Sequence, residues 1–118
     1  MSAIDDFIRK RREQNQGVLD ADHLGLKRFF ALDEAAYRDG PLPAKTKELC
    51  GLVASLVLRC NDCVDYHVIQ CVKAGFSEEE IVDALNVGLV VGGSIVIPHL
   101  RHAVTTLGEL RGRTDLSL

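Results

Sequence analysis

The sequence predicts an all-α fold, a compact bundle of about six helices. Aliphatic residues recur every three or four positions through most of the chain, which is the spacing of amphipathic helices. Two S-x-x-[DE] patterns, Ser2 with Asp5 and Ser77 with Glu80, are helix-capping signals. No segment alternates apolar and polar residues between turn signals; the valine-rich residues 87–91 are the main candidate for a strand.

Size and composition narrow the class of protein. A chain of 118 residues suffices for one domain, and we expect residues 1–118 to form it. Hydrophobic residues make up 47% of the chain, which argues against disorder, and a net charge of −3 argues against a nucleic-acid-binding module. The N-terminus lacks the apolar core of a signal peptide, and residues 84–97 are too short and interrupted to span a bilayer. We therefore expect a cytoplasmic protein that binds neither nucleic acid nor membrane.

The first two helices lie before residue 39. The first begins after Ser2 and continues into a basic run, residues 9–12, which is typical of a solvated helix end. The second is expected to be capped by Asp20 or Asp22. It ends before residues 39–43, DGPLP, which break the helical pattern.

Four more helices follow. The third, about 43–59, carries aliphatic residues on more than one face and is predicted to be the central buried helix. The fourth, about 60–75, ends at a glycine, and the fifth follows the second capping signal. Residues 92–94 interrupt the pattern before a last helix over about 95–110.

Small residues mark one face of the fifth helix. Ala84, Gly88 and Gly92 recur every four positions and leave that face almost without side chains. This pattern favours close contact between helices. The aliphatic excess of so small a chain also indicates an oligomeric interface.

The chemistry-bearing motif is C-x-x-C-x-x-x-H at residues 60–67. On a helix, Cys60, Cys63, His67 and Cys71 share an arc of about 80°. A helix N-terminus stabilises a thiolate, and this argument favours Cys60 as the more exposed and activated thiol. His67 lies one turn beyond Cys63, where its imidazole would take or return a proton.

Three interpretations of this motif compete. The favoured one is a redox-active dithiol, because C-x-x-C is a recognised redox spacing. The second is a zinc site made by Cys60, Cys63, His67 and Cys71, although four positions of one helix surround a tetrahedral ion awkwardly. The third is a set of small buried side chains, an interpretation that suits Cys71 and Cys50 taken singly.

The combined pattern resembles the alkylhydroperoxidase D-like / carboxymuconolactone decarboxylase family. Four features carry the resemblance, in order along the chain: Glu48, the C-x-x-C-x-x-x-H motif that follows after eleven residues, Gly75, and the Glu80-Ile81 opening of the next helix. The resemblance covers about residues 43–103. It implies an all-α, alkylhydroperoxidase D-like fold that assembles as a homo-trimer or homo-hexamer.

The resemblance also implies an activity, that of an antioxidant thiol-dependent peroxidase or disulfide reductase. It assigns Cys63 to the attack on a hydroperoxide and Cys60 to the resolving step, and we follow this order over the helix-dipole argument. Glu48 and His67 match the family's proton relay. A dithiol or lipoyl-type reductant would restore the pair, and we expect neither a cofactor nor a bound metal.

Two other functions stay open. The decarboxylase branch of the family acts on a lactone acid without using the cysteine pair, so the presence of both cysteines argues against it. A non-enzymatic assembly module, structural or stabilised by a metal, would have inert thiols or stoichiometric zinc.

Spacing alone does not place every candidate residue. Along a straight helix Glu48 and Cys60 lie about 18 Å apart, so only the resemblance puts Glu48 in the site; otherwise it would be an exposed residue of the first turn. His99, Arg101 and His102 near the start of the last helix would suit an anionic substrate, but a solvated or interface role is favoured.

Overall fold

The computed structural model describes residues 2–118 and contains six α-helices and one 3₁₀ turn. The elements are α1 (Ala3–Asp20), α2 (Leu24–Ala36), α3 (Ala44–Val57), α4 (Asn61–Lys73), α5 (Glu78–Gly92), the 3₁₀ turn (Ser94–Val96) and α6 (Ile97–Glu109). Residues 2–118 form no strand, and the valines of residues 87–91 belong to α5. The all-α prediction is confirmed. Within the same part of the chain, no helix is both long and apolar enough to cross a bilayer.

Local capping sets several helix ends where the sequence predicts them. The hydroxyls of Ser2 and Ser77 accept hydrogen bonds from the backbone N–H groups of Asp5 and Glu80, at 3.2 and 3.1 Å. Each carboxylate accepts in return from the backbone N–H of its serine, which completes both capping boxes. After α4, Gly75 adopts a φ of 94°, which is the left-handed conformation that ends many helices.

The boundary between α1 and α2 differs from the expectation. α1 runs through the basic segment to Asp20, and neither Asp20 nor Asp22 caps α2. Asp22 lies in a left-handed turn with φ of 51°, so the extended residue that precedes α2 is His23. The His23 Nδ1 atom accepts from the N–H groups of the next helix, 3.1 Å from the nitrogen of Gly25. The cap is therefore an imidazole in place of a carboxylate.

The core lies between α3, α4, α5 and α6. Its fully buried aliphatic side chains include Leu52, Leu56, Val64, Val68, Ile81 and Leu85. Each such leucine or isoleucine contributes about 1.5–3 kcal/mol through burial. At Gly88 a Cβ atom would lie 3.0 Å from Leu56 Cδ2, so this glycine lets α5 approach α3 closely. The predicted close helix contact is confirmed at this position.

A three-residue turn, 58–60, connects α3 to α4. Arg59 adopts a φ of 61° in this turn, a conformation that few residues other than glycine take. Because the turn is so short, α4 folds back against α3. This return is what brings the middle of α4 to the early part of α3.

Candidate active site

The cysteine pair occupies the beginning of α4. Cys60 is the N-cap residue, Cys63 lies in the first turn, and the two form a disulfide with their Cα atoms 5.3 Å apart. The Cys60 sulfur also accepts a hydrogen bond from the Cys63 backbone N–H at 3.2 Å. Cys63 is exposed and Cys60 is half-buried. The helix-dipole expectation that Cys60 is the more exposed of the two cysteines is therefore wrong.

Glu48 and His67 form a buried pair. The Nδ1 atom of His67 lies 2.9 Å from Oε2 of Glu48, and the two side chains are only 9% and 10% exposed. The alternative that Glu48 is an exposed first-turn residue is wrong, because the return of α4 covers it. An ionised carboxylate only accepts hydrogen bonds, so Nδ1 donates to it and Nε2 remains on the far side of the ring.

Tyr37 contacts that second nitrogen. Its hydroxyl lies 3.4 Å from Nε2 of His67, a long hydrogen bond, and the two rings are 5.4 Å apart between centroids. Burial, and then the nearby charge of Glu48, raise the pKa of Tyr37. The phenol therefore stays protonated and donates a hydrogen bond to Nε2. The sequence analysis did not single out Tyr37 and missed this contact, which joins residues thirty positions apart.

Gly51 makes room for the histidine. A Cβ atom at this position would lie 2.5 Å from Cε1 of His67 and 2.8 Å from the Tyr37 hydroxyl. Real Cβ atoms do not approach other atoms so closely. The sequence analysis also missed Gly51, although an isolated glycine inside an apolar helix usually has a packing reason.

Cys63 and His67 open into one cavity of about 260 Å³. Residues of α1, α2 and α4 line it, together with the residue that follows α2: Arg11, Gln14, Asn15, Asp33, Tyr37, Asp62, Cys63, Tyr66 and His67. The guanidinium of Arg11 stacks on the Tyr66 ring at 4.2 Å. Arg11 is thus a wall of the cavity, whereas the sequence placed it in a solvated run. Glu48 does not line the cavity. The cavity therefore contains the Cys63 side chain and an imidazole whose other nitrogen is bonded to Glu48.

The other cysteines and histidines lie elsewhere. Cys71 is fully buried in the hydrophobic core, and burial raises the pKa of its thiol to about 12. It therefore does not suit the four-ligand zinc alternative. Cys50 is an exposed thiol on α3. The two histidines of α6 bond to the opposite side of α4, with His99 Nδ1 2.8 Å from Asn61 Oδ1 and His102 Nε2 2.9 Å from Asp65.

Comparison with known sequences gives a family match. The sequence model of the carboxymuconolactone decarboxylase family matches residues 25–106. An uncharacterised protein of the cox locus of Paracoccus denitrificans is 29% identical over 84 residues, which make up 71% of this chain and 76% of that protein. The family match extends from α2 through most of α6, and it confirms the resemblance carried by Glu48 and the cysteine motif.

Comparison with solved structures agrees. A carboxymuconolactone decarboxylase family protein from Thermotoga maritima, described with a suggested role in the antioxidative response, is 58% identical; the superposition covers 96% of this chain and 99% of that chain, with a TM-score of 0.89. A family protein from Legionella pneumophila is 24% identical with a TM-score of 0.81, covering 90% of this chain and 95% of that one. The second likeness concerns the fold alone.

Proposed function

We propose that this chain, which belongs to the carboxymuconolactone decarboxylase family, is a thiol-dependent peroxidase or disulfide reductase. One observation carries the proposal: Cys63, half of a cysteine pair, shares a cavity with His67, and His67 is held by buried Glu48. The suggested antioxidative role of the Thermotoga maritima protein supports the same class of chemistry.

In the first step the Cys63 thiolate attacks the hydroperoxide oxygen farther from the organic group. An S–O bond forms, the O–O bond breaks, and Cys63 becomes a sulfenic acid while the peroxide is reduced to an alcohol or water. His67 lines the cavity and its Nε2 atom is not bonded to Glu48, so in this mechanism Nε2 takes the thiol proton and returns it to the departing oxygen. Glu48 stabilises the imidazolium that exists in between, and the backbone N–H groups at the start of α4 stabilise the thiolate.

In the second step the Cys60 thiol attacks the sulfenic sulfur. The Cys60–Cys63 disulfide forms and water leaves, so both electrons given to the peroxide come from the pair. A dithiol or lipoyl-type reductant then exchanges with the exposed Cys63 sulfur, leaves as a cyclic disulfide and returns both cysteines to thiols. This cycle needs a reducing compartment such as the cytoplasm.

The same proposal includes a homo-oligomer, a trimer or a hexamer. Its support is the number of large apolar side chains that one chain leaves exposed, among them Phe29, Leu32, Val87, Val90 and Val91. Large apolar side chains exposed in patches mark surfaces that associate with another protein chain.

The test is peroxide consumption driven by a dithiol such as dihydrolipoamide. Cys63→Ser and Cys60→Ser should each reduce turnover to background, whereas Cys50→Ser, which removes a thiol outside the pair, should keep it. Mild peroxide should remove two titratable thiols per chain. Unchanged turnover in both pair variants would contradict the mechanism, and lactone decarboxylation that survives both would support the lyase alternative. Inert thiols or stoichiometric zinc would support an assembly module.

A further inference from the structure

A permanent positive charge shares the cavity with Cys63 and His67. Among the described residues that line this cavity, Arg11 is the one whose side chain is always a cation. It belongs to α1, which lies outside the family match at residues 25–106, so that match assigns it no role. The cavity has a volume of only about 260 Å³. The charge therefore lies near both groups of the proposed chemistry.

An aromatic ring holds the guanidinium in place. The Cζ atom of Arg11 lies 4.2 Å from the centre of the Tyr66 ring, a cation–π contact. Tyr66 follows Cys63 by three positions on α4, so the two side chains are neighbours on one helix face. Burial raises the pKa of Tyr66, so its ring stays neutral. The charge of Arg11 is thus placed beside Cys63 without being cancelled by an acid.

The neighbouring arginines of α1 have partners on the protein. Arg9 lies 3.5 Å from Glu13, and Arg12 donates a hydrogen bond to the Ser117 carbonyl oxygen at 2.8 Å. By contrast, Arg11 takes part in none of the ion pairs found in residues 2–118. A guanidinium has five N–H donors, and those of Arg11 are available to a molecule that enters the cavity.

Two carboxylates make this charge important for the thiol. Asp33 of α2 and Asp62 of α4 line the same cavity, and Asp62 directly precedes Cys63. Each negative charge disfavours ionisation of the Cys63 thiol. The two tyrosines of the lining are neutral, because burial raises the pKa of both. Arg11 is therefore the permanent charge that offsets the two acids.

We propose that Arg11 is a catalytic residue, whose guanidinium stabilises the Cys63 thiolate and donates hydrogen bonds to the departing peroxide oxygen. The inference rests on the peroxidase function proposed above and adds to it a group from α1. When the O–O bond breaks, its electron pair stays on the departing oxygen until His67 returns the proton. A cation already in place stabilises this charge as it develops, and the step needs no further reactant.

The first experiment compares Arg11→Met with Lys10→Met in the dithiol-driven peroxide assay. Methionine keeps an unbranched side chain against the Tyr66 ring, and Lys10 is the adjacent cation, exposed and outside the cavity lining. Arg11→Met should lower kcat/KM for hydrogen peroxide by at least about tenfold, because a donor to the departing oxygen is lost. Lys10→Met should stay within about twofold of wild type. Thermal unfolding checks that both variants keep the fold.

Arg11→Lys refines this comparison, because lysine keeps the charge but loses the planar set of donors. Its kcat/KM should lie between those of wild type and Arg11→Met. A lysine variant no more active than the methionine variant would contradict a role for the charge.

Alkylation measures the effect on the thiol in the absence of peroxide. In a Cys50→Ser, Cys60→Ser background, Cys63 is the reactive thiol, because the remaining cysteine, Cys71, is fully buried. Adding Arg11→Met should slow its reaction with iodoacetamide about threefold at about pH 7, since loss of a nearby positive charge raises the pKa of the thiol. Adding Lys10→Met instead should leave the rate unchanged.

The two measurements separate this inference from the function on which it rests. Peroxide turnover by wild type that is unchanged in Arg11→Met would overturn the role of Arg11 and leave the peroxidase function standing. A wild-type chain that consumes no peroxide would overturn the function and the catalytic role together. An unchanged alkylation rate would contradict stabilisation of the thiolate. Equal losses in Arg11→Met and Lys10→Met would reveal a general effect of net charge and would also contradict the proposal.

Discussion

Two histidine–carboxylate pairs lie on opposite sides of α4. They have the same nitrogen–oxygen distance but differ in burial and surroundings. His67 and Glu48 on one side, and His102 and Asp65 on the other, are each 2.9 Å apart. The His67 side chain is 9% exposed and lines the cavity that contains Cys63, whereas the His102 side chain is 39% exposed and does not line that cavity. The distance between the partners therefore does not distinguish the two pairs, whereas the cavity beside His67 does.

The two pairs also differ in the hydrogen-bonding positions that they leave unused. Asp65 faces His102 with both oxygens and also accepts from the Thr106 hydroxyl at 2.6 Å. Both oxygens of the Asp65 carboxylate contact side chains of α6, so this carboxylate ties α6 to α4. In the other pair, His67 keeps Nε2 for a long contact with Tyr37 and for whatever enters the cavity. One pair fastens two helices, and the other has a nitrogen available for proton transfer.

The largest difference should appear when each carboxylate is replaced by its amide. Glu48→Gln should lower kcat/KM for peroxide reduction by about 100-fold or more, because the amide does not stabilise the imidazolium of His67. Asp65→Asn, the matched change on the other face of α4, should stay within about twofold of the wild-type value. Peroxidase assays of both variants, with thermal unfolding as a control for folding, make the comparison. Equal losses in the two variants would show that the pairs do not differ in role.

A smaller effect should come from filling the space around His67. Gly51→Ala should destabilise the fold by about 1–3 kcal/mol, because the new methyl group overlaps the imidazole and the Tyr37 hydroxyl. The control is Gly17→Ala, a glycine within α1 with no atom within 4 Å of the added carbon, which should be neutral or stabilising by up to about 1 kcal/mol. Urea unfolding measures both. If the two variants unfold at the same urea concentration, the site is not packed as tightly as we describe.

The smallest effect should follow loss of the hydroxyl that faces Nε2. Tyr37→Phe should lower kcat/KM about fivefold, the worth of one hydrogen bond. Because burial and the charge of Glu48 raise the pKa of Tyr37, the phenol stays protonated from about pH 6 to about pH 9, and the loss should be the same throughout. A pH–rate profile of the variant against wild type tests this. A loss confined to alkaline pH would instead mean that the phenol titrates there.

Local chemistry explains which parts of the fold the sequence predicts. The capping boxes at Ser2 and Ser77, the glycine after α4 and the helical spacing all act within a few residues, so they are legible in the chain. The α1–α2 boundary was predicted wrongly because Asp20 and Asp22, the residues that usually cap helices, stand just before the histidine that caps α2. Only the path of the turn decides among them.

The candidate site divides in the same way. The cysteine motif is local and visible, whereas the contact of Glu48 with His67 depends on how α4 returns along α3, and only the family resemblance suggested it. Tyr37 and Gly51 were missed because their roles arise from packing between helices far apart in sequence. Nothing in the immediate neighbourhood of either residue encodes that packing.

The short turn at residues 58–60 also fixes which side chains of α3 and α4 face each other. A residue inserted into α3 after Glu48 would therefore rotate Glu48 by about 100° about the helix axis. Such an insertion would leave every functional side chain in the sequence, yet it would turn Glu48 away from His67. The eleven-residue interval between Glu48 and Cys60 is therefore a geometric requirement of the candidate site. A sequence that keeps the residues but changes that interval should share the fold without sharing the site.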